Sequence, residues 1–76
     1  MPKFKVKINY DVGEEITLAD SNSVFGSYPD TVTLTTQAPT CEIATALCVA
    51  IITTALSDNK KYCRIKDTFV QEVNEE

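Results

Sequence analysis

The sequence predicts a two-layer α+β fold with the element order β-β-β-α-β, in which a single helix packs on one face of a small antiparallel sheet. Residues 3–10 alternate between apolar and polar side chains, which is typical of a half-buried strand. Residues 41–56 are apolar almost all the way round and form a run too long for one strand. A chain of 76 residues has room for one domain with one core, and we expect residues 74–76 to fray.

The part of the chain before the helix is predicted to contain three strands joined by polar turns. The inward face of the first strand consists of Phe4, Val6, Ile8 and Tyr10. Gly13 allows a positive φ in the turn that follows this strand. Val32 and Leu34 face inward in the third strand, with threonines outward. The predicted elements are strands at 3–10, 15–19 and 31–35, turns at 11–14 and 26–30, and a polar loop at 20–23.

The helix is predicted to begin after Pro39 and Thr40, with either Thr40 as the N-cap or Pro39 in the first turn. Asn59 is expected to end the helix in a left-handed conformation. We expect Leu47 and Ile51 to contact the inward residues of the strands. At about 100° per residue these two side chains belong to a larger helix face. That face consists of Ala44, Leu47, Cys48, Ile51 and Ala55, with Ile43 and Ile52 at its flanks.

The chain after the helix is predicted to return as a strand at 62–66. Asp67 then falls on the inward side, so we expect the chain to bend there. Residues 68–73 fit a continuing strand, which we favour, and the same spacing also fits a short helix capped by Asp67. The side chains expected on the core face of this last part are Cys63, Ile65, Phe69 and Val73.

Composition and charge restrict the functional classes that fit the chain. The net charge of −4 and the pI of 4.6 disfavour casual attraction to nucleic acid or anionic membranes. We expect no secretory signal, and the apolar run at 41–56 is shorter than the roughly 20 residues of a membrane span. Three cysteines form no closed disulfide framework. We therefore expect reduced thiols and a cytoplasmic protein, in the host cell if the gene is viral.

Residues that support catalysis or metal binding are scarce. The chain has no histidine, which removes the commonest general base and metal ligand together. Cys41 lies at the start of the helix, where a thiol pKa is lowered, but no imidazole exists to activate it. Three widely spaced cysteines form no recognised zinc pattern, and no phosphate-binding or calcium-binding loop occurs. We expect no enzyme activity, no metal and no cofactor.

All seven basic residues lie in two short stretches, 3–7 and 60–66. If the first and last strands are neighbours, their outward side chains form a basic patch that includes one aromatic ring. The candidate binding residues of this patch are Lys5, Lys7, Tyr62, Arg64 and Lys66. Such a patch is the rudiment of a platform for RNA or other single strands. Outward lysines are also the ordinary residues of solvent-facing and edge strands.

The helix offers a second candidate surface because its polar stripe is thin. Ala46 and Ala50 are small residues beside that stripe, and they allow another backbone to approach closely. The candidate interface residues are Glu42, Ala46, Val49, Ala50 and Thr53. One interpretation is a homodimer that forms helix to helix. The alternative is that Val24, Phe25 and Phe69 fold over this side of the helix.

These observations favour a small protein without enzyme activity that acts by stoichiometric binding to another protein. An accessory or inhibitor protein of a phage or mobile element, which occludes a host factor, would have this size, acidity and lack of chemistry. The alternative is a nucleic-acid-binding module that uses the basic sheet face. We expect no membrane association under either hypothesis.

Overall fold

The computed structural model describes residues 1–19 and 22–73, and in them the element order is β-β-α-β. The strands form one antiparallel sheet with the order β2-β1-β3, so β1 is central and both other strands are edges. The helix packs on one face of this sheet, and the predicted two-layer α+β class is confirmed. The elements are β1 Lys3–Thr17, β2 Ser23–Gln37, α1 Cys41–Asp58 and β3 Tyr62–Val73.

One long hairpin replaces the three short strands expected before the helix. β1 and β2 have 15 residues each and pair without a break from Lys3 opposite Gln37 to Thr17 opposite Ser23. The turns predicted at 11–14 and 26–30 are therefore strand. Turn-forming residue types suggested a break there, but the even-numbered apolar residues keep one phase through it. Of the loop predicted at 20–23, residues 20 and 21 lie outside the described residues.

Two residues that suggested turns have ordinary roles in the hairpin. Gly13 lies in the middle of β1, and its φ is not positive. Pro29 lies in β2, where a missing backbone N–H is tolerated because β2 is an edge strand. Neither residue therefore ends a strand.

The core lies between β1 and the helix. The predicted inward face of β1 is confirmed, because Phe4, Val6, Ile8 and Tyr10 are at most 7% exposed. Val32 and Leu34 of β2 are partly buried against this core, as expected. The core residues are Phe4, Val6, Ile8, Tyr10, Val12, Ala38, Ala44, Cys48 and Ile52.

The helix turns a different side to the sheet than its periodicity suggested. Leu47 is 43% exposed and Ile51 is 56% exposed, so the expectation that these two side chains fill the core is wrong. Ala44, Cys48 and Ile52 are buried instead. A helix that is apolar all round does not select one side by hydrophobicity. The small side chains of Ala44 and Cys48 let the helix lie close to the sheet, which favours this side.

The helix begins as predicted and ends differently. Thr40 is the N-cap, and its Oγ1 accepts a hydrogen bond of 3.2 Å from the backbone N–H of Ile43. Asn59 is the C-cap but has φ −96°, so the expected left-handed conformation is wrong for this residue. Its Nδ2 instead donates to the backbone oxygen of Ala55 at 2.8 Å. The left-handed residue is the next one, Lys60, with φ 60°.

β3 contains the predicted bend and continues as a strand. The register against β1 shifts between Asn9 and Tyr10, so Lys66 is an extra residue in β3 between the partners of these two. The strand expected at 68–73 is confirmed, but its expected core face is wrong. The extra residue inverts the alternation, and Phe69 lies opposite Lys7 while Val73 lies opposite Lys3. Both side chains therefore lie on the sheet face away from the helix.

Candidate interaction surfaces

An apolar surface runs along the helix on the side that the sheet leaves uncovered. Ile43 is 44% exposed and Leu47 is 43% exposed. The small residues Ala50 and Ala55 on this side of the helix are exposed as well. We call this surface the apolar stripe. It consists of Ile43, Leu47, Ala50, Ile51 and Ala55. A shallow depression of about 450 Å³ extends over most of its length as far as Asp58.

The flank of the helix at Thr53 faces β3, because Thr53 and Cys63 line the same cleft. Ile51 lies about 160° around the helix from Thr53, at 3.6 residues per turn. The Ile51 edge of the apolar stripe is therefore on the flank away from β3, toward β2, whose Val32 and Leu34 are only partly buried.

Four of the five interface residues proposed from the sequence are exposed, namely Glu42, Ala46, Ala50 and Thr53. The fifth, Val49, is half-buried and packs against the core. Ala50 also belongs to the apolar stripe. The interface proposed from the sequence thus lies beside the apolar stripe, and its contact with a partner stays a prediction.

The hairpin also leaves apolar side chains uncovered at its far end. β3 begins opposite Gly13, so the rest of β1 pairs with β2 alone. Ile16, Leu18 and Val24 there are between 44% and 47% exposed. The alternative that Val24, Phe25 and Phe69 fold over the helix is wrong for both phenylalanines, because their pairing with β1 places them on the other face of the sheet.

The molecule has more surface than its mass requires. Its accessible area is 5427 Å², whereas a compact monomer of 8.4 kDa exposes about 4,600 Å². The radius of gyration is 15.5 Å, against about 11 Å for a compact domain of this length. The extents of 58 × 18 × 18 Å locate the cause in the elongated hairpin. The excess of about 800 Å² therefore follows from the shape of the molecule.

The face of the sheet away from the helix, which we call the open sheet face, is basic and aromatic. Three of the candidate residues lie on regular positions of this face: Lys5, Arg64 and Tyr62. Lys7 lies there as well, next to Phe69. Lys66, the extra residue of β3, reaches Asp11 and forms an ion pair of 3.3 Å. The structure thus places all five candidate residues of the basic patch on one face.

Sequence reasoning missed two aromatic residues of the open sheet face. The ring of Phe25 lies over Gly13, and a Cβ at Gly13 would collide with that ring. The ring centroids of Phe25 and Tyr62 are 5.8 Å apart with a tilt of 49°. The two edge strands therefore meet over a glycine of the central strand. Phe69 was assigned to the core, and no local signal placed Phe25 across from Tyr62.

The three thiols are free, and none has the lowered pKa of a reactive cysteine. A hydrogen bond to the carboxylate of Glu42 raises the pKa of Cys41, despite its position at the start of the helix. Burial raises the pKa of Cys48 and of Cys63. A thiol whose pKa is raised is mostly protonated at neutral pH and is a poor nucleophile.

One cleft combines polar side chains near the end of the helix. It has a volume of about 790 Å³ and lies between the far part of β1, the helix C-terminus and the start of β3. Cys63, Lys61 and Glu15 line it, and Lys61 forms an ion pair of 3.7 Å with Glu14. Within residues 1–19 and 22–73, no group of three or more acidic, cysteine or histidine side chains could hold a metal ion.

Comparisons with known proteins add no assignment to these surfaces. No family model, no curated protein and no solved structure matches the chain. By length and composition alone, α1 could cross a membrane, with a mean hydropathy of 1.5 over 18 residues of which 17% are buried. The core helix of a soluble protein meets the same criterion, so this finding is weak evidence for a span.

Proposed function

We propose that this protein acts without catalysis, by stoichiometric binding to protein, and that the apolar stripe is its binding surface. The observation that supports this most is the uncovered stripe itself, in which the large side chains of Ile43, Leu47 and Ile51 are between 43% and 56% exposed. Small monomers expose contiguous apolar patches chiefly where they interact. An accessory protein that occludes a factor in the cytoplasm of a host cell would act in this way.

The partner that fits the apolar stripe is a second copy of the chain, in a homodimer. The helix carries no charged residue between Glu42 and Asp58, so two copies meet there without like charges opposed. Leu47 lies midway between Ile43 and Ile51, and a two-fold axis near it lets each isoleucine of one copy contact the other isoleucine of its partner. The side chain of Ala50 is a single methyl group, so the backbones of the two helices can approach closely there.

The experiment is to measure the molar mass of the wild type across a concentration series by sedimentation equilibrium, and to repeat it with Leu47→Lys. We expect a concentration-dependent dimer for the wild type. A lysine at the centre of the stripe places one charge against another in a desolvated contact, so the dissociation constant should rise by about 100-fold or more. Circular dichroism on dilute samples checks that the variant is folded.

The matched control is Ala46→Lys, which adds the same charge to an exposed position of the same helix but outside the stripe. This variant should dimerise like the wild type. A wild type that stays monomeric at every concentration would overturn the proposal. So would a dimer that Ala46→Lys disrupts and Leu47→Lys leaves intact, or wild-type binding to neutral phosphatidylcholine vesicles that only Leu47→Lys abolishes.

A further inference from the structure

We propose a second binding site, on the open sheet face, whose ligand is single-stranded nucleic acid. Aromatic rings of the face stack on bases, and basic side chains contact phosphates. The site consists of the aromatic residues Phe25, Tyr62 and Phe69 and the basic residues Lys5, Lys7 and Arg64. This site does not depend on the helix dimer, because contact between helices leaves both open sheet faces free.

The exposed aromatic rings of this protein are concentrated on one face. The chain has three phenylalanines and three tyrosines, and the two on the core side of β1, Phe4 and Tyr10, are buried. Phe25, Tyr62 and Phe69 are 65%, 64% and 57% exposed, and all three lie on the open sheet face. Solvent-facing rings cost solubility unless a ligand covers them, and nucleic-acid bases stack on such rings.

The spacing of the rings suits an extended strand. Phe25 and Tyr62 meet over Gly13, whereas Phe69 lies opposite Lys7, six residues away along β1. Six residues of an antiparallel strand span about 20 Å. A ligand of several nucleotides therefore reaches from the ring pair to Phe69, within the footprint of known single-strand sites of about 4–16 nucleotides.

The cations of the face lie along the path between the rings. Lys7 is directly beside Phe69, and Arg64 lies two residues from Tyr62 on β3. Within the described part of the chain, Lys5, Lys7 and Arg64 form no ion pair, whereas Lys66 is neutralised by Asp11. These three cations are thus available to neutralise phosphates.

The charge of the face opposes the charge of the whole chain. The open sheet face carries five basic residues, which are Lys3, Lys5, Lys7, Arg64 and Lys66. Its acidic residues are Asp11, Glu15 and Asp67. An acidic protein with a net basic sheet face attracts polyanions to that face and repels them elsewhere, which orients the ligand. Duplex nucleic acid keeps its bases stacked on each other, so single strands are the form that the rings select.

The experiment is to titrate the protein into a fluorescent oligo-dT of about 15 nucleotides, and into the matching oligo-U, and to follow anisotropy at two salt concentrations. We expect binding that weakens steeply with salt. Phe69→Leu and Tyr62→Leu, which keep apolar bulk but remove the ring, should each weaken binding about 5- to 150-fold. Tyr62→Phe, which keeps the ring, should bind the oligonucleotide as tightly as the wild type. Lys7→Gln should reduce the salt slope by about one unit.

Two control variants separate this site from general effects. Tyr28→Ala removes an aromatic ring that is 42% exposed on the helix side of β2, and it should not change the affinity. Lys60→Gln makes the same charge change as Lys7→Gln outside the open sheet face, and it should keep the wild-type salt slope.

Three results would overturn the proposal: no binding at low salt, equal weakening by Tyr28→Ala and Tyr62→Leu, or tighter binding of a duplex of the same length. A monomeric wild type that still binds oligo-dT would leave this site standing and reject only the helix dimer.

Discussion

The two sides of α1 have nearly the same hydrophobicity and opposite environments. Ile52 is 7% exposed and contacts the core, whereas its neighbour Ile51 is 56% exposed on the apolar stripe. Cys48 is fully buried, while Leu47, a larger and more apolar side chain, is not. The side that meets the sheet is the one with the smaller residues. Close approach of backbones, rather than total hydrophobicity, therefore decides which side is covered.

The comparison also separates stability from function within one helix. The covered side contributes to the free energy of folding through burial, at about 25 cal/mol per Å² of apolar surface. The uncovered side contributes little until a partner covers it. Substitutions on the two sides should therefore affect different measurements, which the following predictions use.

The largest expected difference is in thiol reactivity. Cys41 is exposed at the start of the helix, whereas Cys48 lies on the covered side and reacts only when the domain opens. If opening costs about 3–5 kcal/mol, Cys48 should react with Ellman's reagent about 100-fold or more slowly than Cys41. Cys41→Ser should remove the fast phase. A fast phase that survives in Cys41→Ser and disappears in Cys48→Ser would contradict the orientation of the helix.

The sharpest stability test exchanges two adjacent isoleucines for alanine. Ile52→Ala should lower the free energy of unfolding by about 2–4 kcal/mol because it leaves a cavity in the core. Ile51→Ala has the same chemistry and the same change in helix propensity, and it should cost less than about 1 kcal/mol. Urea unfolding of dilute samples, in which the protein is monomeric, measures both. Equal costs for the two variants would mean that the helix is rotated from the described orientation.

A smaller change in the free energy of unfolding is expected at Gly13, which the ring of Phe25 covers. Gly13→Ala should push the ring of Phe25 away from Tyr62 and cost about 1 kcal/mol, because the ring is at the end of an exposed side chain and moves easily. The double variant Gly13→Ala/Phe25→Ala should show a coupling energy that offsets this cost. Purely additive costs in that cycle would mean that the ring does not lie over the glycine.

The smallest effect concerns alkaline pH. Burial raises the pKa of Tyr10 above its ordinary value of 10.0, and so does the hydrogen bond that its hydroxyl donates to Asp30 at 3.2 Å. The folded state therefore holds this proton more tightly than the unfolded state. The resulting stability is fully present below pH 10 and is lost as the pH rises through the folded pKa. Unfolding of Tyr10→Phe should depend less on pH in that range than the wild type, and identical slopes would refute the assignment.

Local signals in the sequence were sufficient for the fold class and for the ends of elements with side-chain caps. Alternation from Phe4 onward predicted the central strand, and Thr40 predicted the helix start through its side-chain oxygen. Sequence could not choose between Ile51 and Ile52, because the difference depends on how closely the helix approaches the sheet. Local turn chemistry predicts a turn at Gly13, whereas the role of this residue depends on Phe25 from another strand.

The candidate surfaces were predictable in part. The alternation of Lys5 and Lys7 predicted their place outside the core, and their proximity to Arg64 followed from the assumption that first and last strands are neighbours. The extra residue Lys66 inverted the alternation beyond it, so Phe69 was assigned to the wrong face. The position of a single bulge depends on how all three strands pair and pack together, so no pattern within one strand determines it.

The strand order has a consequence for how the protein is made. Of the elements in residues 1–19 and 22–73, β1 leaves the ribosome before the others, whereas β3, its second neighbour in the sheet, leaves after them. During translation the hairpin and helix emerge with one full edge of the central strand unpaired, and an unpaired edge invites pairing with other chains. Closing that edge brings Lys3 opposite Val73, a contact between distant parts of the chain that is slow to form. The nascent chain is therefore most vulnerable to aggregation in the interval before β3 emerges, and slower translation of this strand would lengthen that interval.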